Sequence, residues 1–288
     1  MSCQPRLIDT LPSHRTLPMK VIVLGLNRTG TMSLFTALQT LHYRPYHGTD
    51  MWADPARNLT LWTEAMRAKF MDEGEKWGRR ELDVMLGDFD AVLDLPAACM
   101  VSELVTAYPT AKFILTHRPV NAWLASMNAT IFPVMRWRSW RILRHLDRSF
   151  VAPWWAYKQA MLQGWGGGDF GDVNMTRTFL EHNERVRKVV PQGQLLEFDV
   201  KEGWGPLCRF LGVERPEGAF PHVNDSEAPK SKSVIIAIRR SPFDPNGPHI
   251  QILGAWARAN HQDRMGKGVW LDARGEYGER RLAVLCAN

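Results

Sequence analysis

The stretch from Met19 to Leu41, "MKVIVLGLNRTGTMSLFTALQTL", changes its hydrophobic period half-way along. "KVIVLG" is a short apolar run rich in β-branched residues, the pattern of a strand buried on both faces of a parallel sheet. From about Thr29 the apolar residues Leu34, Ala37, Leu38 and Leu41 recur at i, i+3, i+4 and i+7, one packed face of a helix. The strand signature returns at "AVLDLP" (91–96) and "KFILT" (112–116), with a helical stretch, "ACMVSELVTAYP", between them. "VNAWLASMNATI" follows as another helix, and residues 55–80 and 134–163 read as mostly helical. "GWGGGDFGD" (164–172) reads as a flexible break. A helix near 174–190, a strand at "QLLEF" (194–198) and a short helix at "WGPLCRFLG" complete the series. Strands alternating with helices predict an α/β fold whose parallel sheet is covered on both sides.

The pattern is weakest at the two ends. Residues 1–18 carry three prolines and no periodicity, and read as a tail or a crossing segment. From about Pro229 the alternation dissolves into basic, Pro- and Gly-containing sequence with one apolar patch, "VIIAI" (234–238). The expected division is a tail (1–18), an α/β domain (19–228) and an appendage (229–288).

Composition narrows the class. A chain of 288 residues, 45% hydrophobic and 23% charged, can bury a sizeable core. The charge of +6 suits a small anionic ligand. No block of Lys and Arg with interleaved aromatics stands out, so a nucleic-acid partner is not expected. Of the twelve tryptophans, several fall between Trp123 and Trp165, which points to an aromatic-lined cleft or an apolar contact surface. Cys3, Cys99, Cys208 and Cys286 form no CxxC or Cys/His pair, so neither a zinc site nor a disulfide framework is expected. The N-terminus lacks the apolar core of a signal peptide and no run of about 18 apolar residues occurs. A cytoplasmic location without a membrane span is the expectation, and a homodimer stays open.

The chemistry gathers at the first glycines. Gly25 and Gly30 are spaced as in a Walker A loop, but Thr31 and Met32 stand where a nucleoside triphosphatase needs Lys and a hydroxyl. A thioether is a poor ligand for magnesium, so hydrolysis or transfer of a nucleotide phosphate is disfavoured. Binding an unbroken phosphate remains open, because a strand-to-helix loop offers free N–H groups and the positive end of a helix dipole. Thr31 and Ser33 add hydroxyls and Arg28 a forked cation. The alternative is a plain turn with Thr29 as its N-cap. A dinucleotide-binding turn lacks its G-x-G-x-x-G.

"GLNRTGTMSLFTAL" resembles the 5′-phosphate loop of the sulfotransferases, whose donor is 3′-phosphoadenosine-5′-phosphosulfate (PAPS) and which use no metal. In "FILTHRPVNAWLASM", Arg118 and Ser126 have the spacing that binds the 3′-phosphate in that superfamily, and Arg118 would otherwise pair with a surface carboxylate. The chain is similar to the bacterial and fungal sulfotransferase-like branch through Arg28–Leu34, Tyr46–His47, "LDLPAA", "AYPTAKFILTHR", "FDVKEGWGPLCRFLG" and "FPHVND", covering about 19–228. The resemblance implies a P-loop-type three-layer sandwich with the parallel sheet flanked by helices. It implies PAPS held by Arg28, Thr29, Gly30, Thr31, Met32 and Ser33 with Arg118 and Ser126, no metal, and sulfuryl transfer to a hydroxyl or amine of a small apolar or aromatic acceptor. The Arg-Lys-Gly string that completes the 3′-phosphate site in cytosolic members is missing. Lys230, Lys232, Arg239 and Arg240 are candidates to replace it, although a solvated basic stretch is the plainer reading.

Arg28 occupies the place of the family's catalytic lysine. Two residues compete for the base. Asp94 ends a strand where relatives carry a catalytic His, unless it caps a helix after Pro96. His47 follows the phosphate-loop helix near where others place a Glu, unless it is a loop histidine packed against aromatics; Asp50 could orient it. Asp94 is preferred, because strand ends face the ligand crevice of open α/β sheets. A second reading keeps the fold but assigns it a non-sulfating reaction or a binding role in natural-product metabolism.

Overall fold

A computed structural model describes residues 6–223 and, beyond them, the backbone of four short strands. Two compact units divide the chain, Met1–Pro221 and His222–Asn288. In the first, five strands form one parallel sheet in the order β2-β3-β1-β4-β5. They are β1 (Val21–Val23), β2 (Pro45–Tyr46), β3 (Ala91–Val92), β4 (Lys112–Thr116) and β5 (Leu195–Phe198). Nine α-helices among the described residues flank the sheet, giving a three-layer α/β fold. Against one face, α1 (Thr31–Thr40) and α9 (Trp204–Leu211) bury Leu34, Ala37, Leu38, Leu207 and Leu211 with Val21, Val23 and Ile114. The alternate residues Ile22, Phe113 and Leu115 are buried as well, which is why the runs are continuously apolar. Trp123 of α5 (Val120–Arg136) packs on Phe179 of α8 (Asp172–Val189) with ring centroids 4.5 Å apart.

The strand order creates a switch point. The chain leaves β1 toward β2 on one side and leaves β4 toward β5 on the other, so their C-terminal ends open a crevice between diverging connections. The loop after β1 and the residues after β4 both lie there.

Local chemistry explains where the sequence pattern and the structure part. "YRPYHGTD" reads as a loop, yet Pro45–Tyr46 pairs with β3 as an edge strand, a place where a sheet tolerates proline. The Tyr46 hydroxyl accepts from the Trp62 indole at 2.8 Å, pinning this edge to α2 (Pro55–Phe70). Residues 6–18 are a packed crossing segment: Ile8 is fully buried, and Glu64 accepts from the N–H groups of Leu7 and Ile8. The glycine-rich stretch 164–172 is tied down by buried Trp165 and Phe170 rather than left as a flexible break. The second unit carries two strand pairs, Ile235–Arg240 with Pro248–Leu253 and Val269–Leu271 with Tyr277–Glu279. Lys230 and Lys232 lie outside the described residues, as do the side chains of Arg239 and Arg240.

Candidate active site

The loop between β1 and α1 has most of its carbonyls turned away from the crevice and bonded. His182 of α8 donates Nε2–H to Leu24 O at 2.7 Å, and burial pushes that imidazole down to about 4, so it is neutral at physiological pH. Thr29 donates its hydroxyl to Leu26 O at 2.5 Å and contacts the Thr116 hydroxyl of β4. Trp123 Nε1 donates to Asn27 O at 2.9 Å, and Arg118 donates to Arg28 O at 2.6 Å. With the carbonyls of residues 24 and 26–28 occupied, the start of α1 faces the crevice with its N–H end. Helix geometry gives Thr31 and Met32 no acceptor within α1, since the first intrahelical bond runs from Leu34 N to Gly30 O.

Gly25 and Gly30 are required by space. A Cβ on Gly25 would lie 1.7 Å from Thr116 Oγ1, and one on Gly30 would lie 2.6 Å from a Val200 methyl. Gly30 also has φ 97° and is itself the N-cap of α1, so Thr29 is not the cap; its hydroxyl serves the loop instead. Gly25→Ala should force β1 and β4 apart at their tips, costing about 2–3 kcal/mol. A fall of several degrees in melting temperature is the expected reading, and an unchanged one would show that the strand tips are not held this closely.

Arg28 and Arg118 face the switch point from its two sides. Arg28 has a left-handed backbone (φ 65°) and donates Nε–H to Ser126 Oγ at 3.0 Å. The structure thus brings Arg28, Arg118 and Ser126 together across 90 residues or more. Neither arginine has a carboxylate within ion-pair distance among the described residues. Burial first, then the charge of Arg118, pushes the Arg28 guanidinium down, against a raising influence from Asp94. Holding two cations together without a counter-ion is unfavourable, and a bound anion would relieve it.

On the other flank, Leu93 and Asp94 follow β3. Asp94 also has a positive φ, 74°, and such strain collects where a side chain must be aimed. Its carboxylate accepts from the Leu95 N–H, and Oδ1 is buried without a partner. It does not cap the following turn, Ala97–Cys99, whose N-cap is Pro96. Burial raises the Asp94 carboxyl above its ordinary range; His47, the Leu95 N–H and Arg28 act against that. His47 Nε2 lies 3.4 Å from Asp94 Oδ2. The imidazole is buried beside Phe35, ring centroids 5.4 Å apart, at the N-cap of the 3-10 turn Gly48–Trp52. Its Nδ1 accepts the Thr49 N–H at 3.1 Å, and Nε2, on the Asp94 side, is buried without a hydrogen-bond partner among the described residues. Asp50 does not orient the ring; its carboxylate accepts from the His47 backbone N–H at 2.7 Å. Gly48 is glycine because a Cβ would meet Leu95 O at 2.4 Å and Asp94 Oδ2 at 2.7 Å.

Residues 20–228 match the sulfotransferase domain family. The chain is also 42% identical over 214 residues to "Ava biosynthesis cluster protein M" of Aspergillus versicolor, covering 73% of this chain and 82% of that protein. The chain belongs to the sulfotransferase domain family.

A buried helix face lies within electrostatic reach of Asp94, and no sequence motif marks it. On α7 (Val151–Gln163) the buried face holds Trp154, Tyr157, Lys158 and Met161, spaced i, i+3, i+4, i+7. Tyr157 is buried, packs on Trp154, and its hydroxyl has no hydrogen-bond partner among the described residues. Burial raises its phenol well above the ordinary range, with Cys99 and Asp94 pushing the same way. Trp154 leads by ring contact to Trp52, 5.3 Å away, at the end of the turn that His47 caps. The α7 periodicity was the only available signal, and periodicity alone cannot separate a core face from a ligand wall. Among the described residues, no group of three or more His, Cys, Asp or Glu side chains could hold a metal.

Proposed function

We propose that this sulfotransferase-family protein is PAPS-dependent and moves a sulfuryl group to a hydroxyl or amine of a small apolar or aromatic acceptor. The observation that carries the reading is the pair of unneutralised arginines, Arg28 and Arg118, at the switch point beside the unpartnered oxygen of Asp94. Thr31, Met32 and Ser33 at the start of α1 would hold the 5′-phosphate with Arg28, on a loop where Thr29 is a brace and Gly30 gives the necessary turn. Arg118 and Ser126 would hold the 3′-phosphate. In the reaction Asp94 takes the acceptor proton as the acceptor oxygen or nitrogen bonds to sulfur. Arg28 meets the charge that develops on the 5′-phosphate oxygen as its bond to sulfur breaks. His47, with Nε2 3.4 Å from Asp94 Oδ2, would help to hold the carboxylate in place. The wall of Trp154 and Tyr157 gives an apolar acceptor its surface, and the relative's biosynthesis-cluster name agrees with a role in secondary metabolism.

The test is a metal-free thermal shift. At 100 times its dissociation constant, 3′-phosphoadenosine-5′-phosphate should add about 2.7 kcal/mol to stability. For a unit of this size that is a rise of about 5–11 °C. ATP with magnesium should give a smaller shift, because Met32 offers the metal no hard oxygen. A shift no larger than that of AMP would sink the donor assignment.

A further inference from the structure

We propose that residues 133–148 form an interfacial element that docks this protein on anionic phospholipid membranes. The stretch "RWRSWRILRHLDRS" carries five arginines, Arg136, Arg138, Arg141, Arg144 and Arg148, against a single acid. It is a basic block with interleaved aromatics after all. That acid, Asp147, is buried and spent on the turn after it, accepting from Ser149 and Phe150 N–H groups at 2.9 Å. None of Arg138, Arg141, Arg144 and Arg148 forms an ion pair among the described residues, so the surface is complementary to an anionic partner. Between these cations the aliphatic side chains face water: Ile142 is 70% and Leu146 66% exposed, and Val134, just before them, is 38% exposed. Ile142 and Leu146 are four residues apart around the short helix α6 (Trp140–Leu143). Exposed aliphatics set among arginines are the composition of a segment that lies in a lipid headgroup layer.

The rings of this block are turned away from a second possible partner. Trp140 is buried, with its indole bonded to Val134 O at 2.9 Å. Trp155 of α7 has Arg144 5.1 Å and Lys158 4.5 Å from its ring centroid, so cations already attend the ring. A surface for single-stranded nucleic acid uses open aromatic faces on which bases stack, and the most exposed apolar groups here are aliphatic. The rings lead inward instead. Trp137 meets Trp140 at 5.1 Å, Trp140 meets Trp154 at 6.1 Å, and Trp154 meets Trp52 at 5.3 Å, beside the turn that His47 caps. An apolar molecule dissolved in the bilayer would have an aromatic path from this face toward Asp94. That delivery rests on the proposed function; the docking itself does not.

Vesicle sedimentation with the full chain tests the docking without any acceptor. Binding is expected to phosphatidylcholine vesicles containing phosphatidylserine and not to phosphatidylcholine alone, and it should weaken as salt is raised. The triple variant Arg138→Gln, Arg141→Gln, Arg148→Gln should bind about 10²-fold more weakly, at about fivefold per cation. Ile142→Asp with Leu146→Asp should lose binding at least tenfold, on the order expected when two inserted aliphatics become anions. All five side chains are exposed, so melting temperatures should match the parent. Absence of vesicle binding, or binding that ignores these substitutions, overturns the inference. So does tighter binding to a single-stranded oligonucleotide than to the anionic vesicles, which would make the partner a nucleic acid.

Discussion

Asp94→Asn is expected to cut sulfuryl turnover by about 10²–10⁴-fold, the usual loss when a general base is removed. Nucleotide affinity should be nearly unchanged, because the groups proposed to hold the phosphates are on the loop and on Arg118. The substitution is clean. Asn tolerates the left-handed backbone that Asp94 adopts at φ 74°, and it keeps the size of the side chain. The geometry also favours one of the two candidates for the base. His47 Nδ1 already accepts the Thr49 N–H, and an imidazole that accepts there has its N–H on Nε2, so the ring has no lone pair left for an acceptor proton. Asp94 does, on Oδ1. His47→Asn should therefore cost less than Asp94→Asn, by loosening a carboxylate that still works. A larger loss at His47 would transfer the role to the histidine.

The pH behaviour follows from the same burial. The Asp94 carboxyl is raised above its ordinary 3.8, so the proposed base is fully ionised only above that raised value, and activity should climb as pH rises through it. Stability runs the opposite way. A group with a raised folded pKa contributes its full stability below 3.8 and loses that contribution as pH rises through the folded value. Relative to Asp94→Asn, the parent should thus melt progressively lower over that window. A stability difference independent of pH would place the carboxylate in a solvated position.

The sequence made the centre of this fold plain and its edges obscure, for physical reasons. β1 and β4 are buried on both faces, so their residues form unbroken apolar runs that only a central parallel strand requires. β2 is a two-residue edge strand beginning with proline, and no period can be read from two residues. His47 consequently looked like part of a loop, when it sits at the end of a strand and caps a turn. At the site, Arg28, Arg118 and Ser126 were legible because spacing along a strand-loop-helix unit fixes where they point. The braces behind the loop were not. Thr116, Trp123 and His182 lie 87 to 158 residues from their partners, and each is an ordinary strand or helix residue until the fold closes. Tyr157 was hidden in the same way, on a helix face that reads as core.

Arg118→Ala should weaken 3′-phosphoadenosine-5′-phosphate by about 10–10²-fold, the worth of a hydrogen bond to a charged group. Adenosine 5′-phosphate, which lacks the 3′-phosphate, should lose much less. The comparison is needed because Arg118 has two tasks. It donates to the carbonyl of Arg28 at 2.6 Å, and so helps hold the loop in its left-handed turn, and it presents its charge to the crevice. Losing the first task would disturb the 5′-phosphate loop and weaken both nucleotides alike. Losing the second would weaken only the 3′-phosphorylated one. Arg118→Lys sharpens the distinction, since it keeps the charge but not the planar fork that can serve a carbonyl and a phosphate at once. Ser126→Ala should have a smaller effect, and its coupling to Arg28→Lys should be measurable, because Arg28 Nε donates to Ser126 Oγ at 3.0 Å. Equal losses for both nucleotides in Arg118→Ala would make this arginine a brace for the loop and leave the 3′-phosphate to other residues.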